Sequence, residues 1–142
     1  MKLIDKNEIS TWLFDLDNTL YKSETNLFLQ IKTNITKFIS INLNFTQKEA
    51  EIERIRLYKK FGTSLRGLMS EYKINPRVFL EYVHDIDISN LTPNKKLNLL
   101  LKKITGEKII YTNASFHHAE NILSRLGLSE NFSSIFSIEN AK

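Results

Sequence analysis

The stretch TWLFDLDNTLYKS, residues 11–23, constrains the fold more than any other part of the chain. An apolar run, Trp12-Leu13-Phe14, leads straight into two carboxylates, Asp15 and Asp17. Unpartnered charge is costly to bury, so acids at the end of a core strand signal either a shared ligand or a solvated turn. TWLFDL itself predicts a short buried strand, because it mixes β-branched, aromatic and aliphatic residues without a helical period. Asp15 closes that strand. Asp17, two residues on, faces the same crevice if the extended geometry persists.

From Thr25 onward the pattern is helical. Leu27, Phe28, Ile31, Ile35, Phe38 and Ile39 recur at spacings of three and four, one face of a helix, and the stripe Leu27, Ile31, Ile35 and Phe38 reads as core packing with no cofactor implied. Thr46 with Glu49 makes a capping box, and Gly62 stops the helix that follows. TSLRGLMSEYK predicts another helix, interrupted by Gly67. NPRVFLEYVHD predicts a fourth, with Asn75 as cap and Pro76 in the first position. TPNKKLNLLLKKITG starts under the same rule, with Thr92 and Pro93, and stops at Gly106.

Then EKIIYTNAS reads as a strand ending in small polar residues. FHHAENILSRLG is an amphipathic helix closing at Gly127, and FSSIFSIENAK is a third strand. This alternation predicts the α/β class: a partial Rossmann-like parallel sheet core with an inserted α-helical cap between the first and second strands. The expected core is residues 1–21 and 89–142, discontinuous and incomplete at its C-terminal end, and the expected cap is residues 22–88.

Ligands in open parallel sheets bind at the carboxyl ends of the strands. There, Asp15 suits a nucleophile attacking a phosphoryl group, as carboxylates do in some ATPases. Asp17 suits the proton carrier, protonating the leaving alkoxide and then deprotonating water. Two carboxylates facing a phosphate repel one another, and a hard dication with oxygen ligands, Mg²⁺, relieves this. The second strand end adds Thr112, Asn113 and Ser115. A hydroxyl, an amide and free backbone N–H groups before a helix make a phosphate seat.

FDLDNTL resembles the first motif of the haloacid dehalogenase superfamily, D-x-D-x-T after a hydrophobic strand, and IIYTNAS resembles its second. The helical block resembles the cap inserted between those motifs. FDLDNTLY, YKKFGTSLRGL, YVHDIDIS, KIIYTNAS and HAENILSRLGL together resemble the pyrimidine 5′-nucleotidase branch, over nearly the whole chain. The resemblance implies a Mg²⁺-dependent hydrolase of a small phosphate monoester, a pyrimidine nucleoside 5′-monophosphate, through an aspartyl-phosphate. It implies Asp15 as nucleophile and metal ligand, and Asp17 as acid–base and metal ligand through its main-chain carbonyl. Thr112 and Asn113 would hold phosphate, and Thr19 would brace the first motif.

The superfamily pattern also needs a downstream Lys and later acids. Lys142 is not assigned that role, and the later acids are absent, so the chain reads as the N-terminal part of a longer enzyme. Two alternatives stay open. One is a truncated or degenerate domain binding a phosphorylated ligand or partner without turnover. The other is the same chemistry on a sugar phosphate or phosphoglycolate.

Other features carry less. In YKKFGTSLRGL, Gly62 is a helix stop, yet Thr63, Ser64 and Arg66 also lie where a cap turn can touch substrate; both readings stand. His84 to Asp87 reads as the end of the last cap helix rather than a metal cluster. His117 and His118 are adjacent, so they point to different helix faces, one packed and one exposed. The net charge of +4 is scattered through pairs such as Lys95-Lys96 and Lys102-Lys103, which argues against a nucleic-acid partner. No apolar run approaches the roughly 20 residues of a membrane span, no secretory signal opens the chain, and cysteine is absent, so the expected location is cytoplasmic.

Overall fold

A computed structural model describes residues 8–140; the residues before and after these, Lys142 among them, lie outside the described part. The chain is of the mixed α/β class. It forms two compact units, residues 8–25 with 88–140, and residues 26–87.

In the first unit, strands β1 (Thr11–Phe14), β2 (Glu107–Tyr111) and β3 (Ser134–Phe136) form a parallel sheet in the order β1-β2-β3. Leu13 pairs with Ile109 and Ile109 with Ser134, so these residues share one face; Phe14, Ile110 and Ile135 share the other. Ile110 is fully buried on the second face, and the Phe14 ring meets Phe132 edge-on at 5.6 Å. The first face is open. Leu13 is 64% exposed, Tyr111 55% and Phe136 41%, the last two rings stacked at 5.4 Å. TWLFDL is therefore not the buried strand its composition predicts: an apolar strand is buried only on the faces that other elements cover, and here Leu13 meets solvent.

Seventeen residues of the second unit form helix α1 (Leu27–Leu43), followed by α2 (Gln47–Phe61), α3 (Ser64–Tyr72) and α4 (Pro76–Val83). Helix α1 packs on α2 and α4, and α3 packs on both of these as well. Ile31, Phe38, Ile39, Leu57, Leu68, Phe79 and Val83 are buried, and the Phe38 ring meets Phe79 edge-on at 5.2 Å. The expected caps are present. Thr46 and Glu49 close a capping box on α2, and the Asn75 side chain accepts the Arg77 amide. Gly67, however, does not interrupt α3. A Cβ there would come within 2.7 Å of Leu57 Cδ2 and 2.9 Å of Leu57 Cβ, so glycine lets the two helices approach closely.

The first unit also carries α5 (Lys95–Lys102) and α6 (Phe116–Leu126). The cap of α5 is Asn94, whose side chain accepts the Leu97 amide at 3.0 Å, so the helix starts two residues later than Thr92 and Pro93 predict. Gly106 lies beyond the helix end, at the turn into β2. Its φ is +92°, and a Cβ there would stand 2.9 Å from the Ile9 and Ser10 carbonyl oxygens, so the turn requires glycine. No helix among the described residues is long and apolar enough to cross a membrane.

Candidate active site

The two acids emerge from β1 into different surroundings. The extended path ends at Phe14, and the Thr19 and Leu20 amides both donate back to the Leu16 carbonyl, at 3.2 and 3.0 Å. Leu16 is fully buried, and Asn18 takes the left-handed conformation at φ 59°. The alternation assumed for Asp15 and Asp17 is therefore lost, because the chain coils to bury the leucine between them.

Asp15 stays exposed, and its Oδ2 accepts the Thr19 hydroxyl at 2.8 Å. Asp17 is part-buried. Its Oδ1 accepts the Tyr21 hydroxyl at 2.6 Å and lies 3.0 Å from His118 Nε2. His118 is 3% exposed and sits in the first turn of α6, while His117 beside it is exposed. Burial, and then the neighbouring Asp17 charge, hold the Tyr21 hydroxyl above the ordinary range of a phenol.

Asp17 is thereby fastened to the helix that follows the second strand end. At that end Thr112 is buried and Asn113 exposed. The Thr112 amide donates to the Phe136 carbonyl at 3.0 Å, and its hydroxyl accepts the Ala114 amide at 3.0 Å. The Ser115 hydroxyl caps α6 by accepting the His118 amide at 3.3 Å. Glu139 Oε2 accepts the Phe116 amide at 2.6 Å. The expectation of free N–H groups here is thus corrected at three positions: Ala114, Phe116 and His118. Helix N-termini leave amide donors unmet, and local oxygens, one of them a carboxylate, have met these.

A cleft of about 810 Å³ opens beside the turn, lined in part by Asn18, Thr19, Lys22, Asn94, Lys95 and Lys96; neither acid is among its lining residues. Among the described residues no three His, Cys, Asp or Glu side chains group into a metal site. The donors at the turn are oxygens, which suits a hard cation that keeps several waters.

The three expected cap contacts lie in the helical unit. The Thr63 hydroxyl caps α3 by accepting the Arg66 amide at 3.1 Å. Ser64 is buried and its hydroxyl points at the Arg54 carbonyl, 3.5 Å away; Arg66 is exposed. For Thr63 and Ser64 the visible work is local. His84 is the C-cap of α4.

His118 and Tyr21 are the site residues that sequence reasoning did not single out. A signal existed for each. His118 lies four residues before Ile122 and eight before Leu126, on the buried stripe of α6, and Tyr21 follows Asp17 by one helical turn.

Fold and site together define a mixed α/β protein with a parallel sheet, an acid pair at one strand end and a Thr-Asn pair at the next. No family model matches the chain. Over 136 residues it is 30% identical to Phosphate metabolism protein 8 of Saccharomyces cerevisiae, a match covering 87% of this chain and 42% of that protein. The chain thus spans less than half the length of that relative.

Proposed function

We propose that the chain carries the nucleophile and proton-carrier part of a haloacid dehalogenase-like phosphomonoesterase, acting on a pyrimidine nucleoside 5′-monophosphate. One observation carries this reading: Asp15 stands exposed and braced by Thr19 at the end of β1, while Asp17 is held against the first turn of α6. The name of the yeast relative, with its reference to phosphate metabolism, supports it.

The steps follow from the residues. The Asp15 carboxylate oxygen not bonded to Thr19 attacks phosphorus, and the ester P–O bond breaks. Asp17 gives its proton to the departing alkoxide. It then takes a proton from water, which attacks phosphorus and breaks the bond to Asp15, releasing inorganic phosphate and restoring both acids. The Thr112 hydroxyl proton and the Asn113 amide hold the phosphoryl oxygens. The Asp15 carboxylate and the Asp17 carbonyl would hold Mg²⁺, which supplies charge neutralisation when bound. Lys22, Lys95 and Lys96 outweigh Glu24 in the cleft beside the turn, which favours an anionic substrate. The helical unit would act as the cap, and Arg66, its exposed candidate, would tune the choice among nucleotides, sugar phosphates and phosphoglycolate.

The test is phosphate release from UMP or CMP by the full-length protein with Mg²⁺. Asp15→Asn should abolish it; release that survives this change removes the reading. A second reading, a degenerate domain that holds a partner without turnover, is favoured by Glu139 on the Phe116 amide, a donor that a bound phosphate would otherwise use. It predicts that the wild-type protein neither binds UMP nor releases phosphate from it.

A further inference from the structure

A buried imidazole lies beside the carboxylate assigned the proton transfer. His118 and Tyr21 approach the same atom, Asp17 Oδ1, from different elements: Tyr21 from the turn after β1, His118 from α6, 101 residues away in the chain. Tyr21 is itself buried, as is His118. The tyrosine hydroxyl, 2.6 Å away, has its proton directed to Oδ1, which makes that oxygen an acceptor. The histidine must then present Nε2–H to it, which sets its tautomer. Two donors converging on one oxygen fix the plane and the rotation of the carboxylate, and both donors are locked by packing.

We propose that His118 and Tyr21 are positioning residues that clamp Asp17, the proton carrier, through Oδ1. This rests on the phosphomonoesterase reading. The clamp differs from a packing role in what it predicts. Misorienting a proton carrier slows the chemical step while leaving substrate affinity largely intact.

The experiment uses the full-length protein with Mg²⁺ and UMP, comparing Tyr21→Phe, His118→Ala and His118→Gln. His118→Ala should lower kcat by about 10- to 100-fold with KM within about threefold of wild type, and Gln, which restores an N–H donor, should recover about tenfold of that loss. Tyr21→Phe keeps the ring and should lower kcat by roughly tenfold. A kcat within about twofold of wild type in Tyr21→Phe and in His118→Ala overturns the clamp. So does a loss that Gln does not relieve. If His118→Ala fails to fold, the kcat of Tyr21→Phe decides, and a value within about twofold of wild type overturns the clamp.

A second measurement is independent of turnover. Long-range ¹H–¹⁵N spectra should show His118 as the Nε2–H tautomer, with its resonances displaced in Asp17→Asn. The Nδ1–H tautomer, or resonances indifferent to Asp17→Asn, overturns the clamp. Should the wild-type protein release no phosphate, the phosphomonoesterase reading falls and the clamp stands or falls on these spectra.

Discussion

Leu16 separates Asp15 from Asp17 and is completely buried, so the backbone must turn to seat it, and the turn hands each acid its own partners. Asp15 gains Thr19 and solvent; Asp17 gains Tyr21 and His118. Thr19→Val should lower turnover of the full-length enzyme by about tenfold, since the brace is one hydrogen bond to a charged group worth about 1.5–3 kcal/mol; the check is kcat against Asp15→Asn as the floor. Tyr21 makes a pH prediction. Its folded-state value is raised by burial and by Asp17, so its contribution to stability is complete below the usual phenol value of about 10. That contribution is lost as pH rises further, because the unfolded chain ionises its tyrosine and the folded chain cannot. Denaturant melts across this range should show an alkaline slope that Tyr21→Phe flattens. Tyr21 ionising together with the exposed tyrosines would contradict it.

Helix pairing in the second unit depends on one missing side chain. Gly67 permits the approach of α3 to Leu57, and Gly67→Ala would place a methyl against both Cβ and Cδ2 of that leucine. Despite alanine's better helix propensity, the substitution should destabilise the unit by about 1–3 kcal/mol, read by chemical denaturation. The same pair of helices shares a charged network. Arg56 bonds Glu53 Oε2 at 2.7 Å and also Glu71, Lys60 reaches Glu71 at 2.8 Å, and the Tyr72 hydroxyl donates to Glu53 at 2.8 Å. Hydrogen bonds from Arg56, then Lys60, hold Glu71 at about 2, below its ordinary 4.5. A lowered carboxyl stabilises the fold above its unfolded value and loses that effect as pH falls toward the folded one. Helical circular dichroism should therefore show melts weakening from about pH 4.5 down to 2, with the acid slope shallower in Arg56→Ala.

The sheet as a whole has two unequal faces, and substitutions should report the difference. Ile110→Ala, on the covered face, should cost about 2–5 kcal/mol, whereas Leu13→Thr on the open face should stay within about 0.5 kcal/mol in denaturant titrations of the 142-residue chain. From the residues alone one can read the strand at Trp12, the capping box at Thr46, the Asn75-Pro76 start and the closing Gly127. The last three each reflect an interaction within four residues or a backbone angle that few side chains accept. Thr92-Pro93 misleads because Asn94 has its own claim on the Leu97 amide, and its amide also meets the Leu126 carbonyl from a distant helix. The acid pair and the Thr112-Asn113 pair were legible as residue types at strand ends. What only the tertiary structure decided is which groups face them: His118 on Asp17, Glu139 on Phe116, and solvent on Leu13. Local spacing governs helices, caps and turns because those bonds close over short loops, while contacts between distant segments are chosen by packing that no short stretch encodes.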